Sequence, residues 1–297
     1  MNEKIKIILD TDIGDDADDA LALCLALKSP ELEVLGITTV FRNTTARAKI
    51  AVALLNMMGK NHIPVYAGIG KPLVAQVNTK EPPIQLLENM KGLSYSDDMG
   101  AVEYLYHTLK YAEESVTLVA IGPLTNIAVL LLMYPEIISR VHEIVLMGGA
   151  FYMHYTEWNI FCDPEAAEIV FSSGIPIRAI GLDVTTCCQV DDALVEYLKE
   201  AEKPETTLLA ELLTCYYRER GRHTFLHDPM AVFAVYDREL ITYSGEDIVV
   251  ELKGDYTRGM TFNRFKIGVG HCKETIQCAK KIQADRFVQK FKEIIVR

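Results

Sequence analysis

Apolar runs alternate along the chain with stretches in which apolar residues recur every three or four positions. Residues 5–9 read as a strand and 19–27 as a helix, and the pairs 32–40 with 45–58, 116–121 with 124–133, and 144–147 with 164–172 repeat that alternation. A further strand is expected at 177–182. These strands are almost unbroken in apolar residues, as strands buried on both faces are. The pattern predicts an α/β fold with a central, mostly parallel sheet flanked by helices on both faces.

The last third is less regular. Residues 191–220 look helical with a break at Pro204, and 228–235 open another helix. Residues 248–253 and 259–267 suggest a small hairpin outside the main sheet, and 274–295 read as a long closing helix. Residues 71–100, with Pro82-Pro83 among them, are the least periodic and form a candidate mobile flap. No linker composition interrupts the chain, so residues 1–297 are expected to form one domain.

Residues 116–134 carry no charge and approach a membrane span in length. Gly122-Pro123 breaks that run and Thr125-Asn126 follows, which suits a buried strand, a tight turn and a helix better. Asp and Glu number 41 against 30 Lys and Arg, for a net charge of −11. An acidic surface repels phosphate backbones, which argues against nucleic acid as a partner, and no basic cluster suggests a membrane surface. Seven cysteines without a Cys-x-x-Cys pair fit free thiols in a reducing compartment. With no secretory leader visible, a cytoplasmic location is expected.

The strongest chemical signal lies at the end of the first strand. Asp10, Asp12, Asp15, Asp16, Asp18 and Asp19 fall within ten positions. Carboxylates so close repel one another, and a hard divalent cation relieves the repulsion. Oxygen-only donors favour Ca²⁺ or Mg²⁺ over zinc. Helix capping would account for Asp18 and Asp19 alone, but not for Asp10 and Asp12 at a strand end. Weaker signals follow. Asp228 of His227-Asp228-Pro229 suits a helix N-cap, as does Asp163 before Pro164. Glu157 and Asn159 flank Trp158, and on an extended segment they would point the same way. Residues 38–43, ending at Asn43, and the turn at Ile121-Gly122 close two other strands.

Together these pieces resemble the inosine–uridine-preferring nucleoside hydrolase family. The carrying motifs are the Asp-x-Asp-x-Gly start, Gly122-Pro123-Leu124-Thr125-Asn126, Leu146-Met147-Gly148-Gly149, Asn159 with Asp163-Pro164-Glu165-Ala166-Ala167, and His227-Asp228-Pro229. The resemblance implies hydrolysis of the N-glycosidic bond of small ribonucleosides with a bound Ca²⁺. It implies Asp12 as metal-linked general base, with the Ile121 carbonyl and Asp228 as further ligands. Asn43, Met147, Glu157 and Asn159 would line the ribose site. His227 would sit beside the leaving base, as its acid or as a stacking surface. His223, Tyr216, Tyr217 and Arg222 are secondary candidates there. Homodimers or homotetramers are common in the family.

The chain departs from the family pattern in two places. Ile13 stands where the family has proline, and Asp18-Asp19-Ala20 falls two positions late. Asp19 is then expected as the bidentate ligand and Asp18 as a ribose-hydroxyl partner, with Asp16 as the alternative ligand. The loop between Gly149 and Glu157 is short, so His154 or Tyr155 would stand in near the 5′-hydroxyl. Two other readings fit parts of the chain: a haloacid-dehalogenase-type phosphohydrolase, which also opens with strand-Asp-x-Asp, and a non-catalytic nucleoside- or ribose-binding protein.

Overall fold

A computed structural model describes residues 3–264, 266–267 and 276–297. Its strands are β1 (Ile5–Thr11), β2 (Leu32–Thr39), β3 (Val65–Ala67), β4 (Val116–Ala120), β5 (Val141–Met147), β6 (Ile177–Ile180), β7 (Ile241–Glu246), β8 (Ile248–Val250), β9 (Thr261–Asn263) and β10 (Ile276–Ile282). The α-helices are α1 (Asp18–Lys28), α2 (Thr44–Met57), α3 (Ala101–Tyr111), α4 (Thr125–Met133), α5 (Trp158–Cys162), α6 (Pro164–Phe171), α7 (Leu182–Thr185), α8 (Asp192–Glu200), α9 (Pro204–Arg220), α10 (His227–Tyr236) and α11 (Ala284–Ile295).

Eight strands form one sheet in the order β3-β2-β1-β4-β5-β6-β10-β7, parallel except for β7, which runs antiparallel to β10. Side chains alternate across it. Ile7 and Leu9 join the core beneath α1, α2, α10 and α11, whereas Ile8 joins the core beneath α3, α4 and α6. The expected α/β architecture is therefore present, and β8 and β9 pair antiparallel outside the sheet as the expected hairpin. The chain leaves β1 toward β2 on one side and returns to β4 on the other. That reversal opens a crevice at the carboxyl ends of β1 and β4, where ligands of such sheets bind.

Three local expectations need correction. The closing helix expected at 274–295 is a strand and then a helix, β10 followed by α11, with residues 274–275 outside the described residues. Ile276 and Cys278 enter one core and Ala279 the other, so pairing with β6 and β7 overrides the helix-forming Ala-Lys-Lys run. Asp228 is not the N-cap of α10, which starts one residue earlier, at His227. Glu157 and Asn159 do not share an extended segment. Glu157 is the N-cap of α5, its carboxylate accepting from the backbone N–H of Asn159 and Ile160. Asp163 caps α6 as expected, accepting from the Ala166 N–H at 3.1 Å. The 71–100 segment is tied down at several points: Leu73 N–H donates to Asp163, Gln85 N–H to the Gly14 carbonyl, and Ser96 N–H to the Val65 carbonyl.

Candidate active site at the sheet crevice

The site begins where β1 runs out. Asp10 and Thr11 are the last residues of β1 and point to opposite faces of the sheet, and Asp12 follows directly beyond the strand. Asp10 Oδ1 accepts from Thr38 Oγ1 at 2.5 Å and from Asn126 Nδ2 at 2.7 Å. Burial pushes this carboxyl up to about 7, with those two hydrogen bonds pulling it down. Asp10 is thereby engaged in holding β1, β2 and α4 together, and is badly placed to attack a phosphorus atom. Asp12, 8% exposed, reaches the crevice. Burial raises its carboxyl to about 6 against the pull of Arg47. The neighbouring β4 turn must be glycine here, because a Cβ on Gly122 would fall 2.8 Å from Asp12 N and 2.9 Å from Asp12 Oδ1.

Helix α1 brings the second pair of acids. Carboxylate oxygens of Asp18, Asp19 and Asp228 lie within 4.8 Å of one another, all three buried. Thr11 Oγ1 donates to Asp19 Oδ1 at 2.5 Å, and the Asp228 N–H donates to Asp18 Oδ2 at 3.1 Å. Burial, then the neighbouring carboxylates, hold Asp18 and Asp228 well above the usual carboxylate range. For Asp19 burial and the Asp12 charge do the same, while Thr11 and Arg47 oppose them. Among the described residues none of Asp12, Asp18, Asp19 and Asp228 forms an ion pair with Lys or Arg. A buried, oxygen-only cluster with no ion pair of its own fits a hard divalent cation. Asp16 lies outside the close trio. Its charge bears on Asp18 from one side and on Tyr216 and His227 from the other.

Across the crevice, Glu157 accepts three backbone N–H bonds, from Gly149 at 3.1 Å, Asn159 at 2.8 Å and Ile160 at 3.0 Å. Burial nevertheless lifts it to about 7. Asn159 Nδ2 donates to the carbonyls of Ile121 and Met147, each at 3.1 Å. Both donors of that amide are thus spent, and it can offer a ligand only its oxygen. Asn43 stands apart from this group. Its Oδ1 caps α2 through Ala46 N–H, and its Nδ2 donates to the Lys80 carbonyl at 3.1 Å. His154 and Tyr155 stay exposed on their loop.

The remaining wall comes from α7, α9 and α10. His227 Nδ1 shares a 2.7 Å hydrogen bond with Thr185 Oγ1, and its ring lies 5.3 Å from that of Phe225. Burial lowers the imidazole to about 4 against the pull of Asp16. Tyr216 is buried beside Asp16 and Arg222, while Tyr217 stacks on His223 at 4.6 Å. Several partners in the site have no local sequence signal: Thr11, Arg47 and Thr185 are ordinary strand or helix residues until the fold brings each against an acid, a carbonyl or an imidazole. Thr38 and Asn126 lie in stretches the sequence singles out, but their shared partner Asp10 is set by the fold.

Fold and site together define an α/β protein with a metal-capable carboxylate cluster at the sheet's reversal. Residues 7–289 match the family described as inosine-uridine preferring nucleoside hydrolase. Relatives include the pyrimidine-specific ribonucleoside hydrolase RihA of Salmonella arizonae, 38% identical over 281 residues and covering 86% of this chain and 88% of that enzyme. RihA of Klebsiella pneumoniae is 37% identical with the same coverage. Among solved structures, a purine-preferring ribonucleoside hydrolase from Gardnerella vaginalis superposes with a TM-score of 0.85 at 30% identity, covering 98% of each chain. A plant nucleoside hydrolase, the PpNRh1 enzyme, gives 0.86 at 28% identity over 99% of each. The chain belongs to the inosine-uridine preferring nucleoside hydrolase family and is a nucleoside hydrolase. This membership sets aside the phosphohydrolase and binding-protein readings of the Asp-x-Asp start.

Proposed function

We propose that the chain hydrolyses the N-glycosidic bond of ribonucleosides to free base and ribose, with Ca²⁺ as its resident ion. The observation that carries this reading is the buried Asp18–Asp19–Asp228 cluster beside Asp12, none of them in an ion pair with Lys or Arg among the described residues. Asp12, Asp19, Asp228 and the Ile121 carbonyl would hold the ion. Asp19 is preferred to Asp16 because only the former stands in the close trio. Bound Ca²⁺ would supply a Lewis acid for the vicinal ribose hydroxyls and for a water.

The chain's own groups supply the rest. Asp12, buried and lifted toward neutrality, is suited to take a proton from the attacking water. Asp18 sits beside Asp228 and can accept from a ribose hydroxyl. Glu157 and the Asn159 oxygen offer two more acceptors, held rigid by backbone contacts. Met147 closes this side through its carbonyl and sulfur, both against Asn159. Asn43, its Oδ1 on the Ala46 N–H and its Nδ2 on the Lys80 carbonyl, would have to give up the Lys80 contact to donate to the ribose. Cleavage develops positive charge on the ribose ring, as in glycoside hydrolysis, and the surrounding carboxylates favour that charge. His227, pinned through Nδ1, presents Nε2 toward the departing base as a hydrogen-bond donor or a stacking edge.

The test is a reducing-sugar assay of the purified chain with Ca²⁺ and uridine, cytidine, inosine or adenosine. Release of ribose is expected. Phosphate release from nucleotides without ribose release from any nucleoside would overturn the reading. We further propose that the 297 residues form one domain, supported by a sheet that runs unbroken from β3 to β7. A homodimer or homotetramer is proposed from the large apolar side chains at the surface, Tyr111, Leu132 and Met133 among them. Light scattering decides that point. A cytoplasmic site of action is in keeping with the free thiols of the described cysteines. No helix among the described residues is long and apolar enough to cross a membrane.

A further inference from the structure

Between Asp12 and the start of α1 at Asp18, residues 13–17 cross a gap outside any helix or strand. Such a segment has many conformations of similar energy unless outside contacts select one. Here the contacts converge on one side chain. Arg47, from α2, is 1% exposed, a depth arginine tolerates only when fully paired. Its Nε donates to the Phe41 carbonyl at 2.7 Å. Its Nη1 donates to the Asp12 carbonyl and, at 3.0 Å, to the Ile13 carbonyl. Its Nη2 donates to Asp15 Oδ2 at 2.7 Å.

One planar guanidinium therefore ties the end of β1, the acidic loop and the turn after β2. The turn is bent for the purpose: Phe41 and Arg42 have φ of 66° and 57°, left-handed values that side chains of their size rarely adopt. The loop is gripped from its other side as well. Gly14 has a φ of 124°, its carbonyl accepts from Gln85 N–H at 3.0 Å, and Ile50 and Pro83 fill the space a Cβ would need. Asp15 is not part of the metal-capable trio, and its carboxylate turns to Arg47 instead. It supplies the only acid in an ion pair with Arg47 among the described residues.

We propose that Arg47 and Asp15 are positioning residues, which clamp the Asp12 main chain so that its carboxylate meets the water and the sugar in a fixed pose. The proposal rests on the reading of Asp12 as the base. Lysine at 47 would keep the charge but lose the fork that reaches three carbonyls and a carboxylate at once. Geometry and charge can thus be separated by substitution. A misplacement of about 1 Å at a reacting group costs on the order of 10²-fold in rate.

The experiment compares Arg47→Lys, Asp15→Asn, the double variant and Asp12→Asn as full-length, Ca²⁺-loaded proteins. Each is assayed on p-nitrophenyl riboside for kcat and KM separately, with melting temperature in parallel. Arg47→Lys is expected to lower kcat about 10²-fold and Asp15→Asn about tenfold, with KM nearly unchanged. The double variant should lose little more than Arg47→Lys alone, because both break one clamp. Wild-type kcat in Arg47→Lys overturns the proposal, since charge alone would then suffice. Lower melting temperatures with wild-type kcat overturn it too, leaving a merely structural pair. If Arg47→Lys fails to fold, Asp15→Asn carries the same test by itself. Asp12→Asn keeps the two readings apart. Full activity there sinks the assignment of the base, whereas a dead Asp12→Asn beside intact clamp variants sinks the clamp only.

Discussion

On the sheet side of the crevice, Asp12, Asp18, Asp19, Asp228, Glu157 and Asn159 are all buried, and they are held by strand ends, helix starts and backbone N–H groups. On the opposite side, the wall around His227 includes the exposed Arg222, Tyr217 at 48% exposure and the half-buried His223. In the proposed reading the first wall would face what every ribonucleoside shares, the sugar, and the second what differs among them, the base. Rigid elements fix groups to fractions of an ångström, while side chains on helix ends and connections are free to vary.

The sharpest way to break the comparison is at Asp12. Asp12→Ala should lower kcat by about 10³-fold or more on every substrate while the protein stays folded. Near-normal turnover would remove the base from the sheet side altogether. Next, excess chelator should abolish ribose release and lower the melting temperature, and Ca²⁺ in excess should restore both. An unchanged melting temperature and rate in metal-free protein would mean that the acid trio works without a cation. Glu157→Gln should cost about 10²-fold with no preference among bases, because it touches the sugar side only. A loss confined to one class of base would blur the two walls.

His227→Ala should divide substrates instead, with a loss of about tenfold or more on nucleosides and little on p-nitrophenyl riboside, whose leaving group needs no help. Equal losses on both would place His227 with the shared machinery. The smallest effect expected is on stability without metal. Folding holds Asp10 and Glu157 at about 7 and Asp12 at about 6, all above their unfolded values. The folded state then binds more protons between about pH 4 and 7, so stability falls as pH rises through that window. The melting temperature of chelated protein should drop by several degrees from pH 5 to pH 8, and excess Ca²⁺ should cancel the drop. A rise with pH under chelation would show that these acids are already compensated.

Much of this was legible along the chain because the cues are local. Apolar runs set β1, β2, β4, β5 and β6, and the acids sit next to one another at a strand end, so their mutual repulsion needs no fold to be seen. The hairpin β8–β9 was legible for the same reason. The strand β10 was not, since Ala279, Lys280 and Lys281 favour a helix until β6 pairs with Ile276–Cys278 and β7 with the strand from Ile276 to Ile282. Glu157 gave no sign of capping α5, because a one-turn helix leaves too few positions for a period to show.

By itself, then, the sequence determined the alternation of strand and helix, the family motifs and the supply of acids. The tertiary structure alone decided which acids gather. Asp228 meets Asp18 across 210 positions of chain, and Arg47 reaches back to Asp12 and Asp15 from the next helix. Their partners are chosen by burial. Once water is excluded, each buried charge must find a counter-charge, a backbone dipole or a metal ion, and only the folded arrangement sets which of these lies within reach.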